Sequence, residues 1–161
     1  MQEARERAHG GARGDVLDYL DLKAANDAVR TRAVEWLLGL FTAVAGELNR
    51  AGAGLTLART DAHRFRVGNS TMVGARLVLR RGVRALTVEA GWPRSPRDGI
   101  VRGGGLASAS ISHFGDARAG AELILLPDPH TAAIWFVIDK SGARAELHPA
   151  HLRRHLLKLA D

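Results

Sequence analysis

The chain has no cysteine. That absence excludes a disulfide framework, a thiolate zinc or iron–sulfur centre and a thiol nucleophile. Long apolar runs are missing as well. The most apolar helical stretch, residues 36–46, is bounded by Glu35 and Glu47, far short of the roughly 20 residues that cross a bilayer. Residues 1–15 are polar and glycine-rich, without the apolar segment of a signal peptide. Together these absences lead us to expect a soluble, cytoplasmic chain with no membrane partner. Lysine is scarce: Lys23, Lys140 and Lys158 are the only three, and arginine supplies the remaining 20 of the 23 basic residues.

What is present fits one globular domain. The 161 residues are 46% hydrophobic and 25% charged, an ordinary balance for a chain that buries a core. The net charge of +6 is unevenly spread. Residues 59–118 hold 11 basic and 4 acidic groups, residues 1–58 hold 7 and 8, and residues 119–161 hold five of each. Because the whole excess sits in the middle third, charge placement points to an anionic partner there.

Hydrophobic spacing gives the elements. Residues 1–14 read as a flexible leader and residues 15–161 as a single α+β domain. A weak helical segment over residues 15–25 precedes a main helix capped at Asn26 or Asp27. Val34, Leu37, Leu38, Phe41, Val44 and Leu48 recur at helical spacing, and Gly52 is placed to end the helix. From Leu55 the period falls to two. The first strand candidates are residues 55–60 and 63–67, and the stretches 75–80, 83–90, 106–114, 121–126, 131–139 and 143–147 follow. A terminal helix follows, with Pro149 near its first position. Reading 75–90 as a hairpin turned at Arg81–Gly82 sets Leu77 opposite Leu86 and Ala75 opposite Val88. The run Ile134–Ile138 does not alternate, which suggests a central strand covered on both faces. The expected architecture is therefore a long N-terminal helix, a meander-like antiparallel sheet of six or seven strands, and a short C-terminal helix.

The functional expectation rests on the basic middle. Arg64 and Arg66 flank Phe65, Arg76 and Arg80 share the polar face of the next hairpin, and the following loop adds Trp92, Arg94, Arg97 and Arg102. Guanidinium forks suit phosphate and carboxylate, and an exposed Trp92 would stack on a base. The partner is read as nucleic acid or an acidic protein surface.

Other constellations carry less. The run Gly103–Gly105 precedes a strand rather than a helix, so it matches no phosphate-loop signature. Of His148, His151 and His155, the last two stand at i and i+4, but His148 precedes Pro149 and falls outside the helix, and Leu152, Arg153 and Arg154 supply no carboxylate as a third ligand. Ser108, Ser110 and Ser112 share a strand face, yet no nucleophile elbow accompanies them. Gly39, Ala43 and Gly46 form a small-residue line on the main helix, expected to pack closely on a strand or on a second copy in a homodimer. No catalytic residue, cofactor or metal ligand is assigned. We expect a binding or accessory module rather than an enzyme. The rival is a small-molecule site between helix and sheet, lined by Ser108–Ser112 and Trp135; the third reading is a self-associating structural subunit.

Overall fold

The computed structural model describes residues 2–161, with side chains from residue 11 onward. Its elements run α1 (Gln2–Arg50), β1 (Thr56–Val67), β2 (Ser70–Arg81), β3 (Arg84–Trp92), β4 (Ala107–His113), β5 (Asp116–Asp128), β6 (Ala132–Ile138), β7 (Arg144–Glu146) and α2 (Pro149–Ala160). The sheet is an antiparallel meander in which each strand pairs with its sequence neighbours, in the order β1-β2-β3-β4-β5-β6-β7. Helix, seven strands, helix is the α+β architecture read from the spacing. Among the described residues no helix is long and apolar enough to cross a membrane.

α1 explains its own seat. Val34, Leu37, Leu38, Phe41, Val44 and Ala45 are buried, and Leu48 packs half-buried against them. They meet Ala75, Leu77 and Leu79 of β2, Leu86, Val88 and Ala90 of β3, and Trp135 of β6, while Leu152, Leu156 and Leu159 of α2 complete the same core. At about 1.5–3 kcal/mol per fully buried large side chain, the six-residue stripe of α1 holds the helix to the sheet. Two long-range hydrogen bonds fix its position: Arg30 Nε donates to the Leu106 carbonyl at 2.7 Å, and Trp135 Nε1 donates to the Ala33 carbonyl at 3.0 Å. Gly52 ends the helix at φ 95°, with the Ala53 N–H donating to the Leu48 carbonyl, as a left-handed cap requires. Asn49 then clamps the Leu55 backbone with its amide N–H and its oxygen.

Four expectations are corrected. α1 does not restart at Asn26 or Asp27: it is one helix, taking in the weak segment and residues 2–14 expected as a leader. Met1 and the side chains of residues 2–10 lie outside the described residues. The two first strands are one, β1, interrupted where pairing passes from Thr60↔Arg76 to His63↔Gly74. Asp61 and Ala62 form the bulge, with Ala62 at φ 51°. The β2–β3 register is shifted by two, Leu77↔Val88 and Ala75↔Ala90, because the turn is Gly82–Val83, with Gly82 at φ 59°. A slip of two keeps every side chain on its expected face. Finally, the strand at Ile134–Ile138 is sixth of seven, and Ile134, Phe136 and Ile138 are only half-buried.

The face turned away from α1 carries its own apolar cluster. Met72, Val101 and Ile124 are buried there, with Phe65, Val67, Leu126, Phe136 and Ile138 packed around them. Val101 comes from the long β3–β4 connection, which wraps the end of the sheet and lays one residue on the far face. Ser70 ties that loop to β2, its Oγ donating to the Ile100 carbonyl and accepting from the Ile100 N–H.

Candidate functional site

The bulge in β1 decides how the arginines are distributed. Cross-strand partners share a face. Thr60, opposite Arg76, and His63, opposite Gly74, both lie on the far face, so the parity of β1 inverts between them. Arg64 pairs with Val73, which pairs with Trp92, so Arg64 sits in a row on the α1 side of the sheet. Arg66 follows two residues on. Arg76 and Arg80 lie on the opposite face. The expected single basic face is therefore two.

Trp92 is not an exposed stacking group. It is 5% exposed and belongs to the core beneath α1. The alternation Leu86, Val88, Ala90, Trp92 continues unbroken down β3, a signal present in the sequence. Arg94 stacks on it, with the guanidinium carbon 3.7 Å from the ring centre, and donates from Nη2 to the Val73 carbonyl at 2.9 Å. Removal from water pushes the Arg94 pKa below its ordinary value.

Five of the expected arginines lie on or beside the β1–β2 turn and the β3–β4 loop. Arg66 Nη2 reaches the Asn69 carbonyl in the β1–β2 turn, and the Arg102 guanidinium packs on Gly68 of the same turn. Arg97 lies in a short 3-10 turn, Pro96–Asp98, of the loop that Ser70 anchors to that turn. Arg64 and Arg94 meet at Val73. Sequence reasoning missed a sixth: Arg144 of β7, whose guanidinium lies against Gly103. Arg64, Arg66, Arg94, Arg97 and Arg102 are all exposed, and among the described residues none of the six is in an ion pair. The carboxylate in the loop, Asp98, accepts a hydrogen bond from Ser95 Oγ. This rim borders a groove of about 610 Å³ between the loop and α1, lined by Tyr19, Lys23, Asp27, Arg30, Arg94 and the glycines Gly103–Gly105. Gly103 and Gly104 hold φ of 69° and 73°, values that glycine adopts without strain.

On the far face Arg76 stands opposite Glu89. His63 Nε2 and Glu89 Oε2 are 2.5 Å apart, and the buried Arg76 Nε has no hydrogen-bond partner among the described residues. Gly74 faces Gly91, and neither has room for a Cβ because each strand's backbone presses on the other. Arg80 is exposed at the far end.

The small-molecule reading loses its serine lining. Ser108, Ser110 and Ser112 pair with Gly91, Glu89 and Thr87 on the far face, away from α1. A cavity of about 520 Å³ does exist beside Trp135, between α1 and the β6–β7 edge, lined by Arg32, Trp36, Glu146 and His148 among others. Gly39 and Ala43 are exposed, and nothing lies within 4 Å of a Cβ built on Gly39. The expected close contact with a strand is absent because this side of α1 faces away from the sheet. The C-terminal histidines part company. His151 Nδ1 accepts the His148 N–H at 3.0 Å at the start of α2, whereas His155 bonds His113. Among the described residues no three His, Cys, Asp or Glu side chains stand together as a metal site.

No protein family, curated protein or solved structure matches the chain.

Proposed function

We propose that the chain is a binding module whose rim of Arg64, Arg66, Arg94, Arg97, Arg102 and Arg144 meets the phosphate backbone of a nucleic acid. The observation that supports this reading is the gathering of these arginines around the β1–β2 turn and the β3–β4 loop, with no carboxylate in an ion pair with any of them among the described residues. Planar forks of this kind take phosphate oxygens in pairs. With Trp92 buried, base stacking is no part of the reading, and the expected affinity is electrostatic and insensitive to sequence.

The test is fluorescence anisotropy with random single- and double-stranded oligonucleotides across a salt series. Five phosphate contacts on duplex DNA weaken binding roughly 500-fold between about 50 and 200 mM salt. Arg97→Glu with Arg102→Glu removes binding, while Arg76→Glu with Arg80→Glu on the opposite face leaves it in place. Absence of binding at low salt would transfer the rim to an acidic protein surface; binding that survives the rim variant overturns the assignment.

A small-molecule site is the second reading, favoured by the cavity beside Trp135 and Trp36. Fragment screening read by tryptophan fluorescence, with Trp36→Ala as the control, tests it independently.

A further inference from the structure

The side of α1 that faces the core changes character as the helix outruns the sheet. Tyr19, Lys23, Asn26 and Arg30 stand eighteen residues before Leu37, Phe41, Val44 and Leu48, five turns at about 3.6 residues per turn. They therefore point to the same side of the helix. The later four pack into the core. The earlier four pass beyond it and face the β3–β4 loop across the groove of about 610 Å³. A stripe of Leu, Phe, Val and Leu has become Tyr, Lys, Asn and Arg. Such a stripe no longer suits a protein core, which seldom takes in Lys, Asn or Arg.

The two walls of the groove present flat and apolar surface with cations between them. On the helix wall Tyr19 and Leu22 are each 61% exposed. The loop wall offers Pro93, Pro96 and Ile100, the last 75% exposed. Lys23 is exposed and in no ion pair among the described residues. Arg30 is held by Asp27 and the Leu106 carbonyl, and Arg94 joins the groove to the rim. Asn26 lines the same space, and its amide can both donate and accept a hydrogen bond.

We propose that this groove takes a base of a single-stranded nucleic acid, stacked on Tyr19 while the rim arginines hold the neighbouring phosphates. This base site rests on the nucleic-acid reading of the rim and goes further, by choosing single strands over duplexes. An exposed ring flanked by cations is what base stacking uses, and it tolerates any sequence because every base has a π-face. A duplex offers its phosphates to the rim but keeps its bases stacked inside, so it gains nothing from the groove. Trp92 cannot take this part, being buried beneath α1, whereas Tyr19 stands beyond the end of the core with its ring uncovered.

Fluorescence anisotropy at fixed low salt tests this with a mixed-sequence single strand, an abasic strand of the same length, and a duplex. The abasic strand carries the same phosphates and is expected to bind roughly tenfold more weakly than the mixed strand, for want of a stacked base. Tyr19→Ala is expected to bring the mixed strand down to the abasic level while leaving duplex affinity and salt dependence unchanged. Tyr19→Phe keeps the ring and the affinity. Because Tyr19 is exposed, both variants are expected to keep the unfolding midpoint of the wild type. Equal affinity for the mixed and abasic strands overturns the base site and leaves the rim standing. So does a Tyr19→Ala variant that binds the mixed strand as the wild type does. Equal losses on all the probes in Tyr19→Ala also overturn it, since the residue would then shape the groove rather than hold a base. A chain that binds none of the probes at low salt loses the rim and the base site together.

Discussion

Acidification should unseat α2, through one pair of histidines. His113 at the end of β4 is 9% exposed, and its Nε2 lies 2.9 Å from Nδ1 of His155 on α2. One ring donates and the other accepts, so the pair is satisfied with both rings neutral. Around it stand Lys158, bonded to Asp116 at 2.7 Å, with Arg154 and His151 on α2. Desolvation first, then the charge of His113 and of the neighbouring cations, pushes His155 from its ordinary 6.5 down to about 4. Desolvation and Lys158 also lower His113, opposed by Asp116. A depressed histidine pKa means that the folded state binds fewer protons than the unfolded one, so stability rises with pH in that window. It is fully present above about pH 6.5 and is lost as pH falls towards about 4. A shift of that size corresponds to at most roughly 3 kcal/mol. His155 is half-exposed, and solvent screening reduces this to about 1–3 kcal/mol. The lowered carboxylates are a separate window: Glu35 beside Arg59, Asp116 beside Lys158, Asp128 bonded by Thr131 and Asp139 bonded by Ser141. Their contributions disappear only below the usual carboxylate range, so above about pH 4.5 the histidine pair dominates. Urea unfolding at fixed protein concentration between about pH 7 and 4.5, on the wild type and His155→Gln, reads the effect. The variant is expected to flatten the slope. An equal slope in both proteins would refute the assignment of acid sensitivity to this pair.

Two further outcomes follow from packing. Phe41→Ala, at a fully buried position at the centre of α1, is expected to cost about 3–5 kcal/mol in denaturant unfolding. Glycines of opposite kinds should respond with opposite signs. Gly39→Ala, in an exposed helical position with nothing near its Cβ, is expected to stabilise by about 0.5–1 kcal/mol. Gly74→Ala meets the Ala90 carbonyl oxygen and the Gly91 Cα and is expected to cost upwards of about 2 kcal/mol. Thermal midpoints of the two variants decide between them.

Most of the architecture was legible because it follows from period. The α1 stripe from Val34 to Leu48 and the alternation through β2 and β3 place their side chains correctly, even with a hairpin register two residues off. What the sequence hid were features with no periodic signature. A bulge at Asp61–Ala62 costs one residue of phase, and that alone moves Arg64 and Arg66 off the face of Arg76 and Arg80. The pairing of Arg144 with Gly103 joins segments 41 residues apart through the closure of a loop on β7. Trp92 was misplaced for a different reason: its burial is written in the alternation of β3, and the arginines beside it in sequence drew it into the loop. The helix ran on past Asn26 because good capping residues only cap where the chain turns away.

The order of the strands has a consequence for how the chain is made. A meander pairs each strand with the one just synthesised, so the sheet assembles by short, local closures. α1 is the exception. It is made before every strand of the sheet, yet its hydrogen bond to Trp135 spans 102 residues of sequence. At the usual pace of about 5–20 residues per second, Ala33 waits roughly 5–20 s for Trp135 to appear, whereas the β2 and β3 side of the same core emerges earlier. The contact of α1 with β6 therefore closes late, after the helix has partners in β2 and β3.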